Sequence, residues 1–182
     1  MLMEVARLGI TGARRTKIQA RKLLMSTMLV ASVSVHAATL SGTVVGVSDG
    51  DTITVLDANR EQHKIRVAGI DAPEKAQPFG QRSKRSLSTL VFGKDVDVQW
   101  SKRDRYRRIV GKVLVTDPTC QRQCPKTLDA GLAQVTAGLA WWYRKYAKEQ
   151  SAEDAQRYEL AEQEARSHRA GLWSDGQPMP PW

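Results

Sequence analysis

The chain has 182 residues, 41% of them hydrophobic and 26% charged, which suits one domain with its own core and excludes collagen-like or disordered composition. Its formal net charge of +9 points to an anionic partner, but six of the 28 basic residues and one of the 19 acidic ones lie in the first 37 positions. The remaining 145 residues carry +4, which agrees with nucleic-acid binding without establishing it.

The first segment reads as targeting, not as fold. Basic residues fill Arg14 to Lys22, an apolar run follows from Leu23 to Val35, and Val35-His36-Ala37 supplies small residues at cleavage positions. That is the order of a secretory signal. Residues 1–37 are therefore expected to be a signal peptide, or an N-terminal anchor if left uncleaved, although the run is short and Ser-rich for a membrane span. The expected product is periplasmic or secreted, with a folded domain over 38–175 and a loose tail over 176–182.

Thr39–Ser48 and Thr52–Leu56 are strand-like, and Asp57-Ala58-Asn59 makes a turn. A third strand covers Gln62–Ala68, with Ile65 and Val67 on one face and Lys64 and Arg66 on the other. Pro73 and Pro78 break regular structure through GIDAPEKAQP. Leu87, Leu90 and Val91 predict a helix over Gly80–Phe92. Asp95–Trp100 and Arg108–Val115 are two more strands, joined by SKRDRYR. Cys120 and Cys124 sit between Pro118 and Pro125 with no histidine nearby, a poor zinc site and a better local disulfide. Leu128, Leu132, Val135 and Leu139 predict a helix over Lys126–Tyr143. A last helix is expected over Ser151–Arg169, opened by a Ser151–Asp154 capping box and closed by Gly171. Five short strands with three helices describe an α+β domain whose strands would lose their edges by closing into an OB-type barrel.

Four segments carry chemistry: Asp49-Gly50-Asp51-Thr52, Arg66, Gly69-Ile70-Asp71-Ala72-Pro73-Glu74, and Asp104-Arg105-Tyr106-Arg107-Arg108. Carboxylates without histidine or cysteine suit calcium or magnesium better than zinc. Arginine forks match phosphate oxygens bidentately. A cation, two guanidiniums and a free carboxylate are the parts needed to hydrolyse a phosphodiester.

The order DGDT, Arg66, GIDAPE and D-x-Y-x-R resembles the thermonuclease (staphylococcal nuclease-like) family, from about Thr39 to the GLW at Gly171–Trp173. The resemblance implies a five-stranded OB-type barrel with about three helices and calcium-dependent cleavage of DNA and RNA to 3′-phosphates. It implies that Asp51, Asp71 and the Ala72 backbone carbonyl bind calcium, with Asp49 behind them. It makes Glu74 the general base and Arg66 and Arg108 the phosphate-gripping pair. Tyr106, Arg107 and Tyr143 are further substrate-contact candidates. Where the family places glycine before its second arginine, this chain has Arg107, at a turn where a positive φ would strain a side chain. The expected enzyme acts as a monomer. The rival readings are an OB-type barrel that binds single-stranded nucleic acid without cutting it, and a metal-dependent phosphodiesterase acting on small nucleotides. The acids and arginines, all present, argue against the first of these.

Overall fold

A computed structural model describes residues 38–182; the export segment read at 1–37 lies outside the described residues. Period-two alternation builds the first strands. In β1 (Ala38–Val47), β2 (Thr52–Asp57) and β3 (Gln62–Val67), residues such as Val44, Ile53, Val55, Ile65 and Val67 turn inward and are essentially unexposed. A two-residue strand, β4 (Ile70–Asp71), precedes α1 (Gly80–Val91). Then come β5 (Asp95–Arg103) and β6 (Ile109–Thr116), the latter burying every second residue.

The ladder order is β3-β2-β1-β5-β6, and a parallel pairing of β3 with β6, Ile65 to Ile109 and Arg66 to Val110, closes it. The result is the expected five-stranded OB-type barrel in an α+β domain. Closure leaves these strands no long free edge. The β5 strand runs three residues beyond the expected Trp100, because an irregularity between Trp100 and Lys102 lets its pairing with β6 continue to Arg103–Ile109. Cys120 and Cys124 form a disulfide in the loop after β6.

The expected helix over Lys126–Tyr143 is corrected. Lys126–Asp129 forms β7, paired to β6, and only Ala130–Thr136 is helical, as α2. The side chain of Asp129 decides the start, accepting from Gly131 N at 3.0 Å and Leu132 N at 3.2 Å as an N-cap. Gly138 decides the end: it sits at φ 64°, and a Cβ there would lie 2.3 Å from Ala170 O. Leu128 and Leu139 matched a helical stripe while belonging to a strand and a turn. Trp141–Trp142 is strand β8, antiparallel to β4. A 3₁₀ segment over Arg144–Glu149 leads to α3 (Ala152–Ser167).

Ser151 accepts from Asp154 N at 3.0 Å, but the Asp154 carboxylate turns away to Lys112, so only half of the capping box forms. The α3 helix stops at Ser167 because Arg169, not Gly171, supplies the first left-handed residue (φ 51°) and Ala170 N donates to Ala165 O. Gly171 opens a 3₁₀ turn instead. The tail is not wholly loose: Trp182 stacks on Tyr143, centroids 5.5 Å apart, and meets Trp141 edge-on.

Asp129 does more than cap. Both its oxygens accept from the buried Tyr158 hydroxyl at 3.0 and 2.9 Å, tying α3 to the start of α2. Asp129→Ala would remove a cap and leave that hydroxyl unpaired, so a loss of roughly 2–4 kcal/mol is expected. Urea unfolding followed by tryptophan fluorescence measures it; an unchanged midpoint contradicts the assignment.

Candidate active site

The site forms where β2 begins. Ser48 N donates to Thr52 O at 2.8 Å, and Asp51 N donates to Asp49 Oδ1 at 3.1 Å, so the aspartates sit on a hydrogen-bonded turn. Val67 N donates to Asp51 O at 2.8 Å, continuing the β2–β3 ladder in which Thr52 faces Arg66. That register sets the Arg66 guanidinium against the buried Asp51 carboxylate, with which it is ion-paired, while its other nitrogen reaches Asp71 Oδ1 at 2.7 Å. Asp51 also accepts from Ala72 N at 3.0 Å and Thr52 Oγ1 at 2.9 Å. Asp71 is presented by the β4–β8 pairing, opposite Trp141. Asp49, Asp51, Arg66, Asp71 and Ala72 thus meet in one cluster.

Arg108 arrives from the β5–β6 hairpin. Asp104 accepts from Tyr106 N and Arg108 N at 2.9 Å each and from Arg108 Nε at 2.7 Å, fixing the side chain through its own turn. Arg108 Nη1 then donates to Thr52 Oγ1 at 3.5 Å, joining the hairpin to the aspartate turn. Arg107 occupies φ 65°, the left-handed conformation that favours glycine at this turn, and its exposed side chain is not part of the ion-paired cluster. The Tyr106 ring, 64% exposed, is flanked by Arg105 and Arg108 at 4.8 and 5.4 Å.

Glu74 is exposed and stands after the buried Pro73. Its backbone is pinned, N to Gln77 Oε1 at 2.7 Å and O from Gln77 N at 2.8 Å, while its carboxylate has no hydrogen-bond or ion-pair partner among the described residues.

Electrostatics fit a cation. Burial pushes the Asp71 carboxyl up to about 6, with Arg66 pulling it down and Asp51 adding to the rise. Burial, then the Asp51 charge, raises Asp49 as well. For Arg66 burial disfavours the charge, yet Asp51 and Asp71 outweigh it and hold its pKa above the ordinary value. Among the described residues one arginine faces these three aspartates, and hard carboxylate oxygens with a backbone carbonyl are the donor set that a hard divalent ion takes. The three are not drawn together tightly. Among the described residues, only Asp57, Glu61 and His63 bring three such ligand atoms within 4.8 Å. That group sits at the other end of the β2–β3 ladder, where Asp57 Oδ1 accepts from Asn59 N and Glu61 N and its Oδ2 faces His63 Nε2 at 2.9 Å, as a hairpin-turn device.

A cleft of about 720 Å³ reaches the cluster at Arg66 and is lined by Arg66, Tyr106, Arg108 and Tyr143 among the expected residues, but by none of Asp49, Asp51, Asp71, Ala72, Glu74 and Arg107. Tyr143 does not stand alone on that wall, since Tyr146 meets it edge-on at 5.0 Å and Trp182 covers one face. Three wall features escaped the sequence reading: the bidentate pair of Lys112 with Asp154 at 2.7 and 2.8 Å, the Lys102–Tyr146 contact at 4.9 Å, and the orienting role of Asp104. Only the last had a local signal, its four-residue spacing from Arg108.

Residues 64–175 match the family described as staphylococcal nuclease homologue. The chain is 38% identical over 162 residues to an Escherichia coli protein named uncharacterized endonuclease, covering 89% of this chain and 95% of that one. It is 41% identical over 162 residues to a Shigella flexneri protein named micrococcal nuclease, covering 89% of each, and 41% identical over 145 residues to Escherichia coli Protein ParB, covering 80% of this chain and 78% of that one. With this barrel, this cluster and these relatives, the chain belongs to the staphylococcal nuclease family.

Proposed function

We propose that the chain is an exported, calcium-dependent nuclease that hydrolyses phosphodiester bonds of DNA and RNA and leaves 3′-phosphates. The observation that carries this reading is the convergence of Asp51, Asp71 and Arg66 in one ion-paired cluster, bridged through Thr52 to an Arg108 held in place by Asp104. The family and its nuclease-named relatives support the same chemistry.

Asp51, Asp71 and the Ala72 carbonyl would hold calcium, with Asp49 ordering water beside them. The bound ion supplies Lewis-acid charge to the scissile phosphate. Arg66 and Arg108 approach from two strands and offer planar forks to the non-bridging oxygens, where negative charge grows in the transition state. Glu74 takes the proton of the attacking water. Water oxygen bonds to phosphorus, the bond from phosphorus to the 5′ oxygen breaks, and that oxygen leaves with a proton as a free hydroxyl. Tyr106 and Tyr143 stand at the cleft wall where bases would stack. Export is supported by the basic, apolar, small-residue order of positions 14–37 and by the Cys120–Cys124 disulfide, a bond typical of oxidising compartments.

EDTA is expected to abolish digestion of labelled DNA and calcium to restore it, with end-group analysis finding 3′-phosphates; full-rate cleavage in EDTA overturns the reading. Glu74→Gln should lower turnover by about 10²–10⁴-fold while DNA affinity stays close to wild type. Equal losses in both would remove Glu74 from the base role. Arg108→Ala should cost about 10²–10³-fold in turnover. Arg107→Gly, by contrast, should leave cleavage intact and stabilise the fold by about 0.5–1 kcal/mol through relief of the left-handed backbone. Paired kinetics and urea unfolding of these two variants decide which arginine grips the phosphate.

A further inference from the structure

The turn that carries Asp49 and Asp51 is held from behind by a side chain that no motif marked. Gln134, on α2, is wholly buried, as is Ser83 on α1. Gln134 Nε2 donates to Gly50 O at 3.0 Å, to Ser83 O at 3.0 Å and to Ser83 Oγ at 3.1 Å. Gly50 is the residue between the two aspartates. A Cβ at that position would lie 1.9 Å from Ser83 Oγ and 2.7 Å from Ala72 Cβ, so the turn is wedged between α1 and the residue after Asp71. Ala72 N in turn donates to Asp51 Oδ2. One amide therefore joins α2, α1 and the aspartate turn, and the turn's far side meets the Asp71–Ala72 loop.

The glutamine is only half satisfied where it stands. Its Oε1 is buried and has no donor among the described residues, a costly condition for an amide oxygen. An apolar side chain of similar shape would remove that orphan but leave Gly50 O and Ser83 Oγ without their donor. What an apolar side chain would lack is direction. A hydrogen bond fixes the Gly50 carbonyl along one line, and with it the separation of the Asp51 carboxylate from Asp71 and Ala72. Groups that orient metal ligands from behind commonly change metal affinity about 10–100-fold when lost.

We propose that Gln134 is a positioning residue for the cation site: through Gly50 O it sets the Asp49–Asp51 turn against the Asp71–Ala72 loop, so that the carboxylates are preorganised before an ion arrives. The inference rests on the calcium reading above. It is tested by calorimetric calcium titration and by urea unfolding in EDTA, on wild type, Gln134→Met and Ser83→Ala. Gln134→Met keeps the length and removes the bonds, trading the orphan at Oε1 for orphans at Gly50 O and Ser83 Oγ, so its calcium-free urea midpoint should fall modestly while its calcium Kd rises about tenfold, more than that fall accounts for. Ser83→Ala keeps the Gln134–Gly50 bond and should bind calcium like wild type. Calcium binding by Gln134→Met as tight as wild type overturns the proposal. So does weaker binding accompanied by an equivalent drop in the calcium-free midpoint, since that is general destabilisation. Wild type that shows no calcium binding removes the cation reading itself, and the proposal with it, a result distinct from the other two.

Discussion

The Arg66 guanidinium, held between the carboxylates of Asp51 and Asp71, is the interaction on which the site depends. Burial raises the Asp71 carboxyl, the neighbouring Asp51 adds to that rise, and Arg66 pulls it back. The same two carboxylates secure the charge of Arg66. The arrangement is poised rather than satisfied, because Asp49 adds a third carboxylate and, among the described residues, no second arginine pairs with any of the three. A site in that condition has a use for cations and for phosphate together, each compensating the charge left by the other.

The barrel makes this possible by bringing short segments to one place. The β2–β3 register puts Arg66 beside Asp51, the small β4–β8 ladder delivers Asp71, and the β5–β6 hairpin delivers Arg108. Helices α1 and α2 cover the cluster from behind through Ser83 and Gln134. The contributing side chains come from several separate elements, so precision comes from the framework and not from any one loop.

The barrel strands were legible because their inward positions alternate cleanly, as at Ile53 and Val55 or Ile65 and Val67. The aspartate turn and the GIDAPE loop were legible because their residue types are rare together. The error at Lys126–Tyr143 has a specific cause: a stripe of four leucines and valines satisfied the helical period, while Asp129 and Gly138, which set the real limits, act through a side-chain cap and a close approach to Ala170. Gln134 and Lys112 were invisible for a related reason. Their partners lie far away in sequence, Gly50 for one and Asp154 for the other, and only the closed fold brings them together. The arginine at position 107 was recognised as a departure, and its left-handed backbone follows from the Asp104 turn that still forms around it.

The parallel seam between β3 and β6 has a kinetic consequence. Strands joined by tight hairpins can pair early, but Arg66 meets Val110 only after the intervening α1 and β5 have been placed. Such long-range closure carries its entropy cost before its contacts form, which slows folding and makes the seam a late event. Arg66 lies on that seam. The local β2–β3 hairpin can pair Arg66 with Asp51 early, but Arg108 reaches Thr52 beside that pair only as the cylinder shuts, so an unshut chain holds its two arginines apart.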